Sequence, residues 1–156
     1  MKSIYYLSTI LSVYRRVIDS YYEGNYKYDE NDTLELFRCA NRDSLPQYFD
    51  KFPGKNEQYY IGREEASNQD FLGVVLDYDK DNKEIILEER NYFSVGDTIN
   101  IFGPNKKSFN VKVEYIKNED GEFIDRARHP KEILRIPCET EVSKYDLIRV
   151  NFLKQE

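Results

Sequence analysis

Between Ser3 and Tyr22 the apolar positions advance by steps of three and four. Ile4, Leu7, Leu11, Tyr14, Ile18 and Tyr21 fall on one line, with Ile10 and Val17 beside it. Ser8, Ser12, Arg15, Arg16 and Asp19 fall mostly elsewhere. That period predicts an amphipathic α-helix, and Gly24-Asn25 supplies its stop. Packing, not propensity, holds such a helix, so its stripe must be buried on something. The expected partners are aromatics of the following segment or a second copy of the chain. The helix also reads as a piece of another unit, because the rest of the chain reads as β.

From Asn25 to Asn68 no period is sustained. Asp32, Thr33 and Glu35 resemble a capping box that opens a short helix through Cys39. Pro46 and Pro53-Gly54 then break the chain. Tyr48, Phe49, Phe52, Tyr59 and Tyr60 predict a connector that packs against something rather than swinging freely.

From Asp70 onward the period becomes two. Phe71 to Tyr78 is a β-rich run, Asp79-Lys80-Asp81-Asn82 a turn, and Glu84 to Arg90 a second strand. Thr98 to Phe102 and Phe109 to Ile116 alternate, with turns at Gly103-Pro104-Asn105 and Asn118-Glu119-Asp120-Gly121. Ile133 to Ile136 and Leu147 to Phe152 complete a set of roughly six strands, which argues for a small antiparallel β-barrel. Val74, Leu76, Ile86, Ile99, Ile101, Val111, Val113, Ile136 and Ile148 are expected mostly inside it. Val95-Gly96-Asp97-Thr98 echoes Lys144-Tyr145-Asp146-Leu147, each with an Asp in a turn before an apolar strand. An Asp there accepts backbone N–H bonds and fixes the turn. The chain is thus expected to be mainly β, with a terminal helix at 1–23, a connector at 24–68 and a barrel at 69–156.

Composition narrows the function classes. Hydrophobic residues make up 40% of 156, enough for a packed core, and the aromatic share of 15% supplies much of its area. With 23 Lys+Arg against 29 Asp+Glu the net charge is −6. An acidic chain has no general pull toward nucleic acid or anionic membrane, although a local basic patch is not excluded. Cys39 and Cys138 lie far apart and in no metal-ligand spacing, which fits two free thiols in a reducing cytoplasm. The first residues read as no signal peptide, and no uninterrupted apolar stretch is long enough to span a membrane.

Three constellations could carry chemistry. Asp77, Asp79, Asp81 and Glu88 have the spacing of a calcium loop, but Asn82 stands at the glycine position and no helices flank it. A strand–turn–strand with solvated acids explains them better, so no metal is expected. Cys39 or Cys138 with His129 is the only Cys/His pairing for nucleophilic catalysis, and nothing in the sequence places them together. No catalytic residue is therefore assigned. Lys106-Lys107, and Arg126, Arg128, His129 and Lys131, form two local basic groups. They read as solvated loops or as phosphate or partner contacts.

The apolar and turn blocks also carry a family likeness. Phe71-Leu72-Gly73-Val74-Val75-Leu76-Asp77-Tyr78-Asp79 resembles the opening strand of the C-terminal domain of the collagenase-like peptidases, family U32. Arg90-Asn91-Tyr92-Phe93-Ser94-Val95-Gly96-Asp97, followed by Ile101-Phe102-Gly103-Pro104, is similar to its next blocks. His129-Pro130 with Ile133-Leu134-Arg135-Ile136-Pro137, and Tyr145-Asp146-Leu147-Ile148-Arg149, resemble later ones. Met1-Lys2-Ser3 and Tyr14-Arg15 resemble the segment after the last barrel strand of the family's catalytic domain.

This resemblance implies that Met1 is an internal methionine of a longer protein and that the helix closes a catalytic domain. Family members are described as proteases, with no established catalytic residues. Some relatives instead hydroxylate RNA bases or quinone precursors and hold an iron–sulfur cluster on cysteines of the catalytic domain. Those cysteines would lie upstream, so no cofactor is expected in this segment. Ala40-Asn41-Arg42-Asp43 stands where many members have a Ser-His-Arg run. The barrel pattern, with Val-Gly-Asp before a strand, also looks like the second domain of translation GTPases, an analogy of fold alone.

The expected function is a non-catalytic accessory domain that docks on the parent's catalytic domain and helps present a peptide substrate to a U32 peptidase. The same role in an iron–sulfur tRNA hydroxylase is the alternative. An autonomous peptidase fragment is a further one, although the chain has no Ser-His-Asp grouping, His-Glu-x-x-His or glycine-flanked serine. Self-association through the helix is a further expected contact.

Overall fold

The computed structural model describes residues 3–39, 47–49, 52, 54, 69–104 and 106–152. The aromatics Tyr59 and Tyr60, the run Ala40–Asp43, and the turn residues Pro46, Pro53 and Asn105 lie outside the described residues.

Helix α1 runs from Ile4 to Tyr22. Ser3 caps it, its hydroxyl accepting the Tyr6 N–H at 3.2 Å, and Gly24 ends it at φ +72°. Helix α2 runs from Glu30 to Arg38. It begins ahead of the expected capping box, because extended Asp29 takes the cap and accepts the Asn31 N–H at 2.8 Å. Asp32 and Glu35 are thereby released to pair with Arg16 of α1. A short 3₁₀ turn covers Gln47–Phe49.

The face that α1 buries is not the expected one. Tyr5, Thr9 and Val13, four apart, are buried, whereas Ile4, Leu7, Leu11, Tyr14 and Ile18 are exposed. Tyr5 stacks on Phe71 with ring centroids 5.2 Å apart and meets Phe102 edge-on at 6.2 Å. With Val74 and Leu147 these rings form a second core outside the barrel. Aromatic fit to that surface decides the buried face, not the larger apolar count. Among the described connector aromatics, Tyr48, Phe49 and Phe52 do not cover the stripe either, being themselves exposed.

Among the described residues the barrel contains ten strands. They are β1 (Phe71–Asp79), β2 (Glu84–Glu89), β3 (Phe93–Ser94), β4 (Thr98–Gly103) and β5 (Lys106–Lys112). Then follow β6 (Ile116–Lys117), β7 (Phe123–Ile124), β8 (Arg126–Ala127), β9 (Ile133–Pro137) and β10 (Leu147–Val150). Eight form an antiparallel sheet in the order β5-β4-β10-β1-β2-β9-β6-β7, and β3 pairs with β8. That short ribbon bridges the two edges. Gly96 and Asp97 exchange bonds with Val113 just past β5, and Val95 N–H reaches Asp125 O between β7 and β8. The mainly β fold and its antiparallel barrel layout are as expected.

One core fills the barrel, including Leu72, Val75, Ile85, Leu87, Phe93, Ile99, Ile101, Val113, Ile116, Leu134, Ile136 and Ile148. Five expected core residues, Ile99, Ile101, Val113, Ile136 and Ile148, lie in it. Leu76, Ile86 and Val111 are only half-buried, and Val74 faces α1 instead. For β1 the reason is two irregularities: its register shifts between Phe71 and Gly73 against β10 and between Val75 and Asp77 against β2, and both faces of β1 are apolar, so alternation could not choose the inner one. The expected strand Phe109–Ile116 is broken after Lys112, where the chain turns the barrel corner to pair β6 with β9.

The two echoing turns share one geometry. Asp97 accepts the Ser94 N–H and Asp146 accepts the Ser143 N–H, both at 2.8 Å. The residue before each Asp is left-handed: Gly96 at φ +96° and Tyr145 at φ +74°. Tyrosine there costs about 1–2 kcal/mol of backbone strain, against up to ~1 kcal/mol of extra entropy loss for glycine. Tyr145 is also exposed. Tyr145→Gly is therefore expected to raise stability in urea by about 0.5 kcal/mol. A clear loss would mean that the ring contributes packing that outweighs its strain.

Candidate functional site

Strand β4 separates the two basic groups. Lys106 opens β5 opposite Gly103, at one end of β4, and Thr98 pairs with Lys112 at the other. Beyond that second end lies Asp125, next to Arg126 and Arg128. The groups are thus on the order of 17 Å apart along the strand. They form two patches rather than one.

The patch at 126–131 is largely neutralised. Arg126 Nε donates to Asp125 at 2.8 Å, and Arg128 lies 3.9 Å from the same carboxylate. The Arg126 guanidinium holds the Asp125 carboxyl below its usual value. Between residues 119 and 132 five acids face three Lys/Arg. His129 and Lys131 are exposed, and Lys131 is left-handed at φ +75°. Buried Glu89 fixes this loop: its carboxylate accepts the His129 N–H at 3.2 Å, and its carbonyl accepts the Lys131 N–H at 2.8 Å. Burial pushes the Glu89 carboxyl up, and the His129 bond opposes that.

The other end is more cationic by position. Lys106 and exposed Lys107 lead away from Gly103, which approaches Asp146 so closely that a Cβ there would meet its carboxylate at 1.9 Å. A cleft of about 410 Å³ opens beside them, between α1 and the 143–147 turn. Ile4, Leu11, Phe102, Tyr145, Arg15 and Lys144 are among its lining residues. Lys144 Nζ sits 5.2 Å from the centre of the Tyr145 ring, and Arg15 pairs with Asp19 at 2.8 Å.

The other constellations disperse. Asp79 accepts the N–H groups of Asp81 and Asn82, both at 3.1 Å, and so caps its hairpin turn. Glu88 sits further along β2, opposite Val74, and pairs with Arg90 at 2.5 Å. Among the described residues no group of three or more His, Cys, Asp or Glu is arranged to hold a metal ion. Cys138 is tied to Lys83 at one end of β2 and His129 to Glu89 at the other. Cys39 is buried at the end of α2, its thiol 3.5 Å from Glu35 O. Burial pushes that thiol up, away from nucleophilic use at neutral pH.

The junction of α1, α2 and β10 was not legible as a site. Arg149, fully buried, donates from Nη1 to Glu35 at 2.8 Å and from Nε to Asn100 Oδ1 at 2.9 Å. Its guanidinium lies 4.4 Å from the Phe102 ring centre and 4.9 Å from that of Phe152. Arg38 stands 4.8 Å from the same Phe152 ring and pairs with Asp70 at 2.6 Å. The one signal in the sequence was a charge inside the apolar run Leu147-Ile148-Arg149-Val150.

Among the described residues no helix is long and apolar enough to cross a membrane. The description "Peptidase family U32 C-terminal domain" matches residues 67–149, and "Peptidase family U32" matches residues 1–59. The chain is 38% identical over 151 residues to the tRNA hydroxylation protein P1 of Bacillus subtilis strain 168. That alignment covers 96% of this chain but 36% of the relative, so the chain spans about a third of its length. A crystal structure of the C-terminal domain of a Geobacillus thermoleovorans U32-family protein is 31% identical, with a TM-score of 0.51. It covers 56% of this chain and 100% of that one. A selenomethionine form of that domain aligns at 35% identity over 51% of this chain and 96% of its own, with a TM-score of 0.49. The blocks at Phe71–Asp79, Arg90–Asp97 and Tyr145–Arg149 thus lie on a barrel found in that family, and the chain belongs to peptidase family U32.

Proposed function

We propose that this chain is the accessory, substrate-presenting part of a tRNA-hydroxylating enzyme. The observation that carries the reading is the alignment of nearly the whole chain with a third of the tRNA hydroxylation protein P1. The remaining two thirds of such a protein would hold the catalytic domain and its cofactor. The stripe Ile4, Leu7, Leu11, Tyr14 and Ile18 would seat this part on that domain. Two facts support that occupant: the stripe lies on the helix matched by the general family description, and it faces away from the barrel. The cleft beside Tyr145 borders the same face and would be narrowed by docking.

The barrel would then meet the RNA backbone through Lys106, Lys107, Arg126, Arg128, His129 and Lys131. Lys and Arg neutralise phosphates and release counterions, independent of sequence. A net charge of −6 keeps such binding weak and salt-dependent. Titration of labelled tRNA at low and moderate salt tests this. Reversal of Lys106 and Lys107 to Glu should weaken binding about tenfold at low salt. Reversal of Arg126 and Arg128 should weaken it less, because Asp125 already offsets them. Lys27→Glu in the connector should leave it unchanged. Absence of binding at low salt, or indifference to all these changes, would remove RNA from the reading. Cleavage of casein or gelatin by the purified chain, lost on Cys39→Ala or His129→Ala, would restore the peptidase reading instead.

A further inference from the structure

Tyr145 occupies a backbone position that suits glycine. It is left-handed at φ +74°, where the matching turn before β4 has Gly96 at φ +96°. The turn does not depend on the ring, because Asp146 fixes it by accepting the Ser143 N–H at 2.8 Å. Burial does not offset the strain either, since Tyr145 is 64% exposed. Strain of this kind collects at binding and switch sites, where a side chain serves something other than the fold. A second observation points the same way. The ring lines the cleft of about 410 Å³ between α1 and the 143–147 turn, a volume within the roughly 300–1,000 Å³ of ligand pockets.

The lining combines apolar walls with cations. Ile4, Leu11, Phe102 and Leu147 contribute the walls, and Ser8 and Ser12 of α1 add hydroxyls. Lys144 Nζ stands over the Tyr145 ring, 5.2 Å from its centre, and has no carboxylate partner among the described residues. Arg15 lines the α1 side and stays exposed although Asp19 shares its charge. Gly103, also at the cleft, pairs with Lys106, and exposed Lys107 follows. Resting on the tRNA reading above, we infer that this cleft takes one unpaired nucleotide, its base stacked on Tyr145 and its phosphate met by Lys144. An aromatic face accepts any base, and neighbouring cations follow the backbone. An acidic peptide would engage the cations and leave the strained ring unexplained. The two sides of the cleft fall in different parts of the family match, α1 in residues 1–59 and the turn in residues 67–149. A base held there lies at the seam where the catalytic part would dock, and Lys106 and Lys107 continue the backbone path away from it.

Binding of labelled tRNA and of a short single-stranded RNA of mixed bases to the full chain tests this. Tyr145→Gly is expected to fold at least as stably as the parent, so its effect on binding is not an effect on the fold. It should weaken both complexes about tenfold, whereas Tyr145→Phe, which keeps the ring, should stay within about twofold of the parent. Lys144→Gln should reduce the salt dependence by about one phosphate contact. A single strand carrying 5-bromouridine should cross-link under ultraviolet light at Tyr145, mapped by mass spectrometry of the peptides. Parent and Tyr145→Gly chains that bind tRNA equally overturn the inference and leave the tRNA reading standing. So does a duplex that competes as well as the single strand. Cross-links confined to other residues, with Tyr145→Gly altering only self-association, give the ring to a protein contact and also overturn it. Absence of RNA binding by the parent at low salt overturns both the inference and the reading beneath it.

Discussion

Replacing Glu35 by alanine is expected to lower the unfolding free energy by about 3 kcal/mol, roughly a hundredfold in the unfolding equilibrium. Arg149 is fully buried, and Glu35 is the one carboxylate paired with it among the described residues. Taking both charges out of water is expensive, so the intact pair contributes little net stability. Breaking it leaves a desolvated guanidinium with no carboxylate among the described residues, held by Asn100 and two aromatic faces. The cost of that uncompensated charge is what the measurement reads. Arg16 is less affected, because it keeps Asp32 and is half exposed. Combining Glu35→Leu with Arg149→Met should return stability to within about 1 kcal/mol of the parent. Urea denaturation of the parent and these two variants checks this. A loss well below 1 kcal/mol for Glu35→Ala would mean that the helices lift off and let Arg149 hydrate.

The second large effect is on association. On its own, this chain is expected to pair through α1 with a dissociation constant on the order of ten micromolar. Leu7→Glu with Leu11→Glu should weaken pairing at least about a hundredfold, because a buried carboxylate without a partner is not tolerated. Starting the chain near Asn68 should leave a folded monomer. The Geobacillus thermoleovorans domain, of about the barrel's extent, is known as a separate crystal structure. Analytical ultracentrifugation over a concentration series distinguishes these outcomes. A parent chain that stays monomeric at millimolar concentration would show that the stripe tolerates water. A trimmed chain that fails to fold would make helices and barrel one unit, overturning the division at residue 68.

Much of the fold was written locally. Ser3 and Gly24 mark the ends of α1 as their capping chemistry requires, and Asp97 and Asp146 fix their turns as the echo suggested. Long-range choices were not local. The stripe on α1 was visible, but the face that docks was chosen by Phe71 and Phe102, 66 and 97 positions from Tyr5. Two register shifts in β1 kept Val74 and Leu76 out of the barrel core; Gly73 stands at the first, but no glycine or proline marks the second. The two basic groups were legible as residues, but not their separation by β4 or the neutralising position of Asp125. The Arg149–Glu35 pair joins residues 114 apart, and no spacing rule reaches that far. Two-residue strands such as β3, β7 and β8 are too short to show a period.

The place of β10 has a consequence for synthesis. It is the last strand among the described residues, yet it lies between β1 and β4 in the sheet. A ribosome delivers the chain from its N-terminus, so the facing edges of β1 and β4 wait open until residues 147–150 emerge. Open edges of apolar strands are templates for wrong pairing. Closure must also bridge the long separation from Phe71 to Arg149, which slows folding. Nascent chains stalled before Leu147 should therefore depend on chaperones, while chains released after Phe152 should not.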